Sequence, residues 1–395
     1  MAKRFALIGL GLLAGLADQA FAQQSNVNGS QVNTITTAVP FLRISPDARS
    51  GAMGDVGIAI SPDANAQYWN LAKLPFTEKK FGISLTYTPW LKDLVPDIWL
   101  GYFAGYAKFG KEDNQTISAS LRYFNLGDIN FTDINAQSLG QGKPREYSFD
   151  VGYARRLSTN LSTGLSLRYI HSALAAGFSS SETPIKPGKA VAADLGVYYT
   201  NTREIGEFQS DNFSFGAVVS NIGSKISYNA TRKDFLPINL GLGGAYTKSI
   251  DEYNKVTFAL DINKLLVPTP QDTTGDGISD YIPDKSVVSG ILGSFNDAQG
   301  GFSEELREFQ ISVGAEYWYQ NQFAVRAGYF YEDKTKGDRK YITVGAGVKL
   351  NVFTLNGAYL VPSGSGVNRN PLSNTFRFSL VFDFDKIEKR DSGEE

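Results

Sequence analysis

The sequence predicts an all-β protein, a transmembrane antiparallel β-barrel of about 14 strands with a small N-terminal hatch in the lumen. Three observations predict it. Apolar and polar residues alternate with period two from about Phe81 to Phe384, the chain starts with a secretory signal, and its connections alternate between short and long. Successive strand side chains point to opposite faces, so each strand gains one apolar and one polar surface. A soluble sandwich also alternates, so the other two observations decide the choice.

Residues 1–22 read as a signal peptide. Lys3-Arg4 supplies the positive start, Phe5 to Ala17 is uncharged and apolar, and Ala20-Phe21-Ala22 places small residues at the cleavage site. The apolar stretch is shorter than the about 20 residues that a spanning helix needs. The chain has no cysteine, which excludes a lipoprotein anchor and a disulfide framework.

The composition fits a barrel in an outer membrane. The 395 residues include 20 Tyr, 26 Phe and 40 Gly, and aromatic residues form girdles at the two bilayer interfaces of such barrels. The net charge of −2 argues against a nucleic-acid partner, which would require a basic face. No pattern in the sequence calls for a cofactor. We expect outer-membrane lipid to surround the strands.

The alternation defines fourteen candidate strands within a barrel of residues 81–385, followed by a periplasmic tail of residues 386–395. They lie at 81–89, 99–108, 115–124, 145–156, 161–171, 190–200, 212–222, 237–248, 255–263, 308–319, 323–332, 340–350, 353–361 and 374–385. Each is near the length that a tilted spanning strand requires.

The connections indicate which end of the barrel faces outwards. Those after strands two, four, eight, ten and twelve are short, such as Ser158-Thr159-Asn160, whereas the sixth, around Arg203 to Ser210, is longer. Those after odd strands are mostly long, including 125–144, 172–189, 223–236, 264–307 and 362–373. Outer-membrane barrels have short periplasmic turns and long outside loops. An even strand count therefore predicts periplasmic termini.

The phase of the alternation directs charged residues of both signs into the lumen. They are Arg122, Asp150, Arg168, Asp194, Asp261, Glu316, Arg326, Lys349, Arg377 and Asp383. One interpretation is that they pair across the lumen and fill it, because an unpaired buried charge is costly. The other is a polar conduit. Since neither sign dominates, the paired interpretation is favoured.

Residues 23–80 do not resemble strands and are predicted to hold the hatch. Gln23 to Val32 is polar, and the segment after it is rich in glycine and small residues, which allow close backbone packing in a confined space. Ser61 or Asp63 is placed to cap a short helix carrying Ala64 to Leu71.

This segment also carries a resemblance. Ser-Pro-Asp-Ala-Arg-Ser-Gly-Ala-Met-Gly-Asp at 45–55, followed by Asp-Ala-Asn-Ala-Gln-Tyr-Trp-Asn-Leu-Ala at 63–72, closely resembles the PorV family of the type IX secretion system. The sister PorQ proteins share the outline of this motif. The resemblance extends over essentially the whole mature chain, including the strand count and the closing strand near 374–385.

The resemblance implies a FadL-like barrel in the outer membrane of a Gram-negative, Bacteroidota-type bacterium. It implies a component that binds the SprA (Sov) translocon. Such a component receives cargo through the C-terminal signal domain of the cargo and shuttles it to a PorU-like attachment complex. The alternative is a FadL-like channel for hydrophobic small molecules, with an apolar pocket under the hatch and a lateral opening in the wall. Fold alone does not decide between them.

An enzyme is not expected. His171 is the only histidine, and the chain has no Gly-x-Ser-x-Gly elbow and no His/carboxylate cluster with metal spacing. A His171→Ala variant is therefore expected to keep full function.

Two short segments are candidate sites. Phe178 lies in a predicted outside loop, where it is a candidate anchor for the translocon; a lone exposed aromatic residue without a role is the other interpretation. Asp272, Asp276 and Asp280 resemble half of a calcium loop. Thr274 and Pro283 stand where further ligands belong, so a glycine-rich surface turn without metal is the favoured interpretation.

Overall fold

The computed structural model describes residues 33–90, 97–132, 137–174, 186–229, 232–274, 279, 281–361 and 375–385. The predicted signal peptide, the polar segment before Asn33, the tail 386–395 and the candidate residues Phe178, Asp276 and Asp280 lie outside them. No helix in the described ranges is long and apolar enough to cross a membrane.

Among the described residues, fourteen antiparallel strands close into one barrel, in which β1 pairs with both β2 and β16. Two further strands, β4 and β5, form a separate hairpin. The strands are β1 Phe81–Pro89, β2 Ile98–Phe109, β3 Gln115–Leu126, β4 Ile129–Thr132, β5 Ser138–Gly142, β6 Arg145–Arg156, β7 Leu161–Ala173, β8 Gly188–Gly206, β9 Gln209–Gly223, β10 Asn239–Ser249, β11 Asn254–Leu265, β12 Gln310–Tyr319, β13 Phe323–Tyr331, β14 Lys340–Leu350, β15 Phe353–Leu360 and β16 Phe376–Phe384.

The predicted strands are confirmed, with differences in two places. The predicted loop 125–144 contains the β4–β5 hairpin, while β3 pairs directly with β6. The sixth connection is a tight turn rather than a longer one, because β8 and β9 continue past the predicted ends and pair Arg203 with Asp211. Residues 201–209 of this hairpin are all exposed. We call the end of the barrel with the tight connections the turn end and the opposite end the loop end.

The barrel wall is apolar outside and polar inside. Alternate residues such as Leu121, Val151 and Leu167 are 43–62% exposed, as lipid-facing side chains are. Their strand neighbours Arg122 and Asp150 are 3% exposed, because they point into the filled lumen. The alternation of apolar and polar residues along each strand therefore corresponds to a lipid-facing outer side of the wall and a packed polar interior.

The hatch fills the lumen with short helices and irregular chain. Its elements are the 3₁₀ helix Pro40–Arg43, the α-helices Ala48–Gly51 and Ala66–Trp69, and the 3₁₀ helix Leu71–Phe76. Asp47 caps Ala48–Gly51 by accepting a hydrogen bond from the Ser50 amide at 2.8 Å. The predicted helix over Ala64 to Leu71 is shorter, since it begins at Ala66.

The hatch runs through the barrel from the loop end to the turn end. At the loop end, the Asn33 amide donates to the Thr335 carbonyl at 2.9 Å, and its side chain donates to the Pro270 carbonyl at 2.8 Å. At the turn end, the hatch continues into β1, and Lys79 pairs with Asp385 at 2.6 Å. The first described residue thus lies at the opposite end of the barrel from the start of β1.

Within the described ranges, three further helices lie in connections. The 3₁₀ helix Lys111–Asp113 forms a tight turn, and the α-helices Val287–Gly293 and Phe302–Arg307 lie in the connection between β11 and β12. The two α-helices give the longest predicted loop, residues 264–307, a structure of its own.

Candidate functional site at the loop end of the barrel

A buried triad of Arg49, Glu316 and Arg326 joins the hatch to the barrel wall. Arg49 donates to both oxygens of Glu316, from Nη2 at 2.8 Å and from Nε at 3.0 Å. Arg326 donates to Glu316 from Nε at 2.7 Å. A bidentate guanidinium–carboxylate pair has fixed geometry, so this contact sets the position of the hatch as well as its charge balance. Arg49 also donates to the Ser61 hydroxyl at 2.6 Å, which ties two parts of the hatch together.

Other wall residues bind the hatch backbone. Asp261 accepts from the amides of Gly57 at 2.7 Å and Ile58 at 2.9 Å. Arg122 donates to the Leu42 carbonyl at 2.8 Å. These contacts bear out the interpretation that lumenal charges are paired: most of the predicted lumenal residues are buried and bonded to the hatch or to each other, as Arg168 is to Asp194 at 2.8 Å.

Strand glycines allow the hatch backbone to touch the wall. A Cβ added at Gly328 would lie 2.0 Å from the carbonyl carbon of Met53. One added at Gly314 would lie 2.5 Å from the Met53 carbonyl oxygen, and one at Gly345 would lie 2.5 Å from the Cβ of Ala52. No side chain fits at these positions. The described hatch therefore packs tightly against the wall, through its backbone at β12 and β13 and through the Cβ of Ala52 at β14.

A buried ionic cluster joins the connections at the loop end. Lys264 at the end of β11 pairs with Glu305 at 3.1 Å and with Glu308, and Lys336 pairs with Glu308 at 3.1 Å. Glu304 accepts from the side chain of Asn33 at 3.0 Å. The connection between β11 and β12 is thereby fixed to the one between β13 and β14 and to the hatch.

The same connection carries an exposed apolar surface, which we define as Val288, Leu292, Phe302 and Leu306. These side chains are 66%, 72%, 77% and 54% exposed. Each helix contributes two of them four residues apart, and residues at this spacing share one helix face. Their position in a connection beyond the spanning strands makes this loop surface a candidate contact for a partner.

A cavity of about 600 Å³ lies between the hatch and the loop end. Aromatic and aliphatic side chains line part of it, among them Phe41, Trp90, Phe124 and Phe330. The described lining also includes the arginines Arg43, Arg168, Arg339 and Arg377. The sequence pattern placed Arg168 and Arg377 in the lumen, and the channel alternative expected an apolar pocket, but neither indicated Arg43 in the lining, because its position depends on how the hatch folds.

The sequence-predicted site residues do not come together. Phe178 is outside the described residues, and Leu174, at the end of β7, is exposed. His171 stacks on Tyr147 with ring centroids 4.8 Å apart. Asp272 accepts from the Thr274 amide at 3.1 Å. Within the described ranges, no group of three or more His, Cys, Asp or Glu side chains is placed to hold a metal ion.

The comparison with protein families agrees with the hatch and the barrel. The family described as "Type IX secretion system protein PorV" matches residues 26–272, more than half of the chain. This chain belongs to the PorV family. No curated protein matches it in sequence. As a PorV-family barrel, it is a secretion-related protein of the outer membrane.

Solved structures of other barrels are similar in fold. The toluene transporter TodX of Pseudomonas putida has 12% sequence identity and a TM-score of 0.50, over 86% of this chain and 99% of that one. The toluene transporter TbuX of Ralstonia pickettii has 10% identity and a TM-score of 0.46, over 86% and 98%. The likeness to TodX shows the fold alone, which is the FadL-like barrel expected from the sequence.

Proposed function

We propose that this PorV-family protein binds the SprA (Sov) translocon, receives cargo through the C-terminal signal domain of that cargo, and shuttles it to a PorU-like attachment complex. The observation that carries the proposal is the family match across the hatch and the first nine of the fourteen barrel strands. The filled lumen supports it, because a barrel closed by its own hatch suits a binding and carrying role better than a pore. The host is a Bacteroidota-type bacterium, the turn end faces the periplasm, and no catalytic step is involved.

The loop surface is the part of the described chain best suited to hold a partner. Large exposed apolar groups in a loop outside the spanning region mark interaction sites more often than they serve the barrel. Aromatic side chains such as Phe302 are enriched in protein interfaces, and the surrounding aliphatic side chains help to exclude water from the contact. Phe178 stays a second candidate anchor.

The first experiment is affinity capture from gently solubilised outer membranes through a tag at the carboxyl end, with mass spectrometry of the co-purifying proteins. Recovery of a very large barrel protein, or of secreted proteins that share a C-terminal domain, supports the proposal. Recovery of this barrel alone with bound lipid contradicts it.

A paired substitution tests the loop surface. We expect Leu292→Ser with Phe302→Ser to reduce recovery of the large partner at least about tenfold, because two central anchors typically contribute 2 kcal/mol or more each. The matched control is Ile205→Ser with Phe208→Ser, two apolar residues that are 53% and 52% exposed at the turn end. Equal recovery from both variants would remove the loop surface from the proposal.

The alternative, a FadL-like channel for hydrophobic small molecules, is favoured by the presence of the cavity. A channel requires a continuous path through the lumen for its substrate. The hatch occupies part of that space, since its backbone touches the wall at β12 and β13. Uptake of toluene into vesicles containing the purified protein, above that of empty vesicles, would support the channel and weigh against the carrier.

A further inference from the structure

Three neighbouring strands of the barrel each carry a basic residue on the outer side of the wall near the loop end. They are Arg145 of β6, His171 of β7 and Lys189 of β8. Arg145 and Lys189 are exposed, and they lie in the same phase of their strands as the outward-facing Phe149 and Val191. His171 is paired with Lys189 in the β7–β8 ladder and is diagonal to Arg145 across β6 and β7. We call these three side chains the basic patch.

The charge of the basic patch has no acidic partner within the described ranges. The positive charges of Arg145 and Lys189 both act on the imidazole of His171. Neither Arg145 nor Lys189 forms a hydrogen bond or an ion pair with a described residue. The carboxylate next to Arg145 in the sequence, Glu146, is buried on the lumenal side, where it accepts from the Ser172 hydroxyl at 2.6 Å. Like charges on neighbouring strands repel, so an anion between them would stabilise the arrangement.

Other cations at the loop end show the contrast. Lys143, just before β6, pairs with Asp128 at 3.4 Å, and Lys225 pairs with Asp284 at 2.6 Å. Their charges are compensated by the chain itself. The basic patch instead presents its charge to whatever surrounds the barrel.

The position of the basic patch along the wall places it beside lipid headgroups. On the side towards the middle of the bilayer, Phe149, Tyr169 and Val191 are paired in register and are 48%, 38% and 62% exposed. Aromatic residues on the outer side of a barrel mark the boundary between the acyl chains and the headgroups. Two residues along a strand span about 7 Å, so the basic side chains lie just beyond this boundary.

The chemistry of the basic patch selects a phosphate group. A guanidinium matches phosphate oxygens with two parallel N–H donors, and an ammonium group adds a point charge beside it. Clusters of basic residues at a membrane surface attract anionic headgroups in the same way. A phosphorylated lipid satisfies both parts of this surface at once, because its phosphate reaches the basic patch while its acyl chains cover the apolar residues next to it.

We propose that the basic patch binds the phosphorylated headgroup of an outer-leaflet lipid, with a phosphate between Arg145 and Lys189 and the acyl chains along Phe149, Tyr169 and Val191. With the turn end at the periplasm, as proposed, the loop end lies in the outer leaflet. The site is on the lipid-facing wall, apart from the lumen and the loop surface, and is therefore additional to the carrier function.

The test uses the purified full-length protein in a neutral detergent and two forms of one probe. The probe is hexa-acylated lipid A, either with both of its phosphates or with both removed, and the retained lipid is quantified by mass spectrometry. We expect the wild-type protein to retain at least about tenfold more of the phosphorylated form. The preference is expected to weaken as salt is raised, because exposed charges are screened.

Arg145→Gln with Lys189→Gln is expected to reduce this preference to less than about twofold. Arg145→Lys with Lys189→Arg keeps both charges and is expected to retain most of the preference. The matched control is Arg155→Gln with Arg203→Gln, two exposed residues at the turn end of the same strands, β6 and β8. This control is expected to bind the phosphorylated form as the wild-type protein does.

Equal retention of the two probe forms by the wild-type protein overturns the inference, as does a preference that survives the paired change to glutamine. An equal loss in the turn-end control also overturns it, since the effect would then follow net charge rather than the basic patch. Release of the bound lipid by excess inorganic phosphate would make the basic patch a site for free phosphate ions instead.

The basic patch and the carrier function are tested separately. If the large partner co-purifies but the two probe forms bind equally, only the lipid site is wrong. If the phosphorylated form is preferred through Arg145 and Lys189 but no secretion partner co-purifies, the lipid site stands and the carrier function is wrong.

Discussion

Glu316 shows how one residue holds the hatch within the lumen. Its side chain is 1% exposed and accepts hydrogen bonds from an arginine of the hatch and an arginine of β13. Removing one partner from a buried ionic group leaves an uncompensated charge, which is worse than losing the pair as a whole. The free energy of unfolding is therefore expected to depend strongly on the Glu316 carboxylate.

We expect Glu316→Gln to lower the free energy of unfolding by about 3–5 kcal/mol, because Arg49 and Arg326 would remain buried with one carboxylate fewer. Urea unfolding in detergent, followed by tryptophan fluorescence, measures the change. Glu252→Gln, at an exposed position in a tight turn, is the control and is expected to change stability by less than about 0.5 kcal/mol. A loss below 1 kcal/mol for Glu316→Gln would show that the triad does not stabilise the hatch.

Among the elements, the packing of the hatch against the wall depends on strand glycines as much as on ion pairs. The loop containing Met53 and Gly54 contacts three consecutive strands through their glycines. Gly54 itself has φ of 70° and lies where a Cβ would be 2.6 Å from the Tyr329 amide nitrogen. Hatch and wall are thus mutually adapted over β12 to β14, with little space for change on either side.

Gly328→Ala tests this fit. The new methyl group would overlap the backbone of the hatch, so we expect a loss of about 1–3 kcal/mol in unfolding free energy, as for other overpacked sites. The matched control is Gly357→Ala in β15, where an added Cβ has no neighbour within 4 Å. If both variants unfold at the same urea concentration, the hatch is not in tight contact with β13.

The sequence predicted the parts of the strands that lie within the membrane better than the parts that lie beyond it. Strand bounds were predictable because lipid and lumen impose opposite polarity on alternate residues. Beyond the bilayer this constraint ends, so the pairing of Thr202, Arg203 and Glu204 left no pattern. The hatch contacts were not predictable either, since Arg49 and Glu316 are 267 residues apart and spacing does not show which charges meet.

For the whole molecule, the direction of the hatch is the feature with the most consequences. The chain lies among loop-end residues at Asn33 and reaches the turn end only at β1. The sequence-based expectation placed the termini at the periplasmic end. Both termini lie outside the described residues, so that expectation stays a prediction; with the turn end at the periplasm, as proposed, Asn33 itself is predicted to lie near the cell surface.

Single cysteines test this direction, since the natural chain has none. Thr34 and Glu207 are both exposed, the first at the loop end and the second at the turn end. In intact cells, we expect a membrane-impermeant maleimide to label Thr34→Cys at least about tenfold faster than Glu207→Cys. After the outer membrane is permeabilised, the two rates are expected to converge. Faster labelling of Glu207→Cys in intact cells would reverse the assigned orientation.

The backbone contacts between hatch and wall constrain the order of folding. The hatch precedes every strand in the chain, and β1 follows it directly. The barrel closes where this first strand pairs with the last one, β16. Close contact with the glycines of β12, β13 and β14 leaves little space for the hatch to enter a barrel that has already closed. We therefore expect the sheet to close around a hatch that is already in place, so that the residues before β1 serve as a template for the barrel that encloses them.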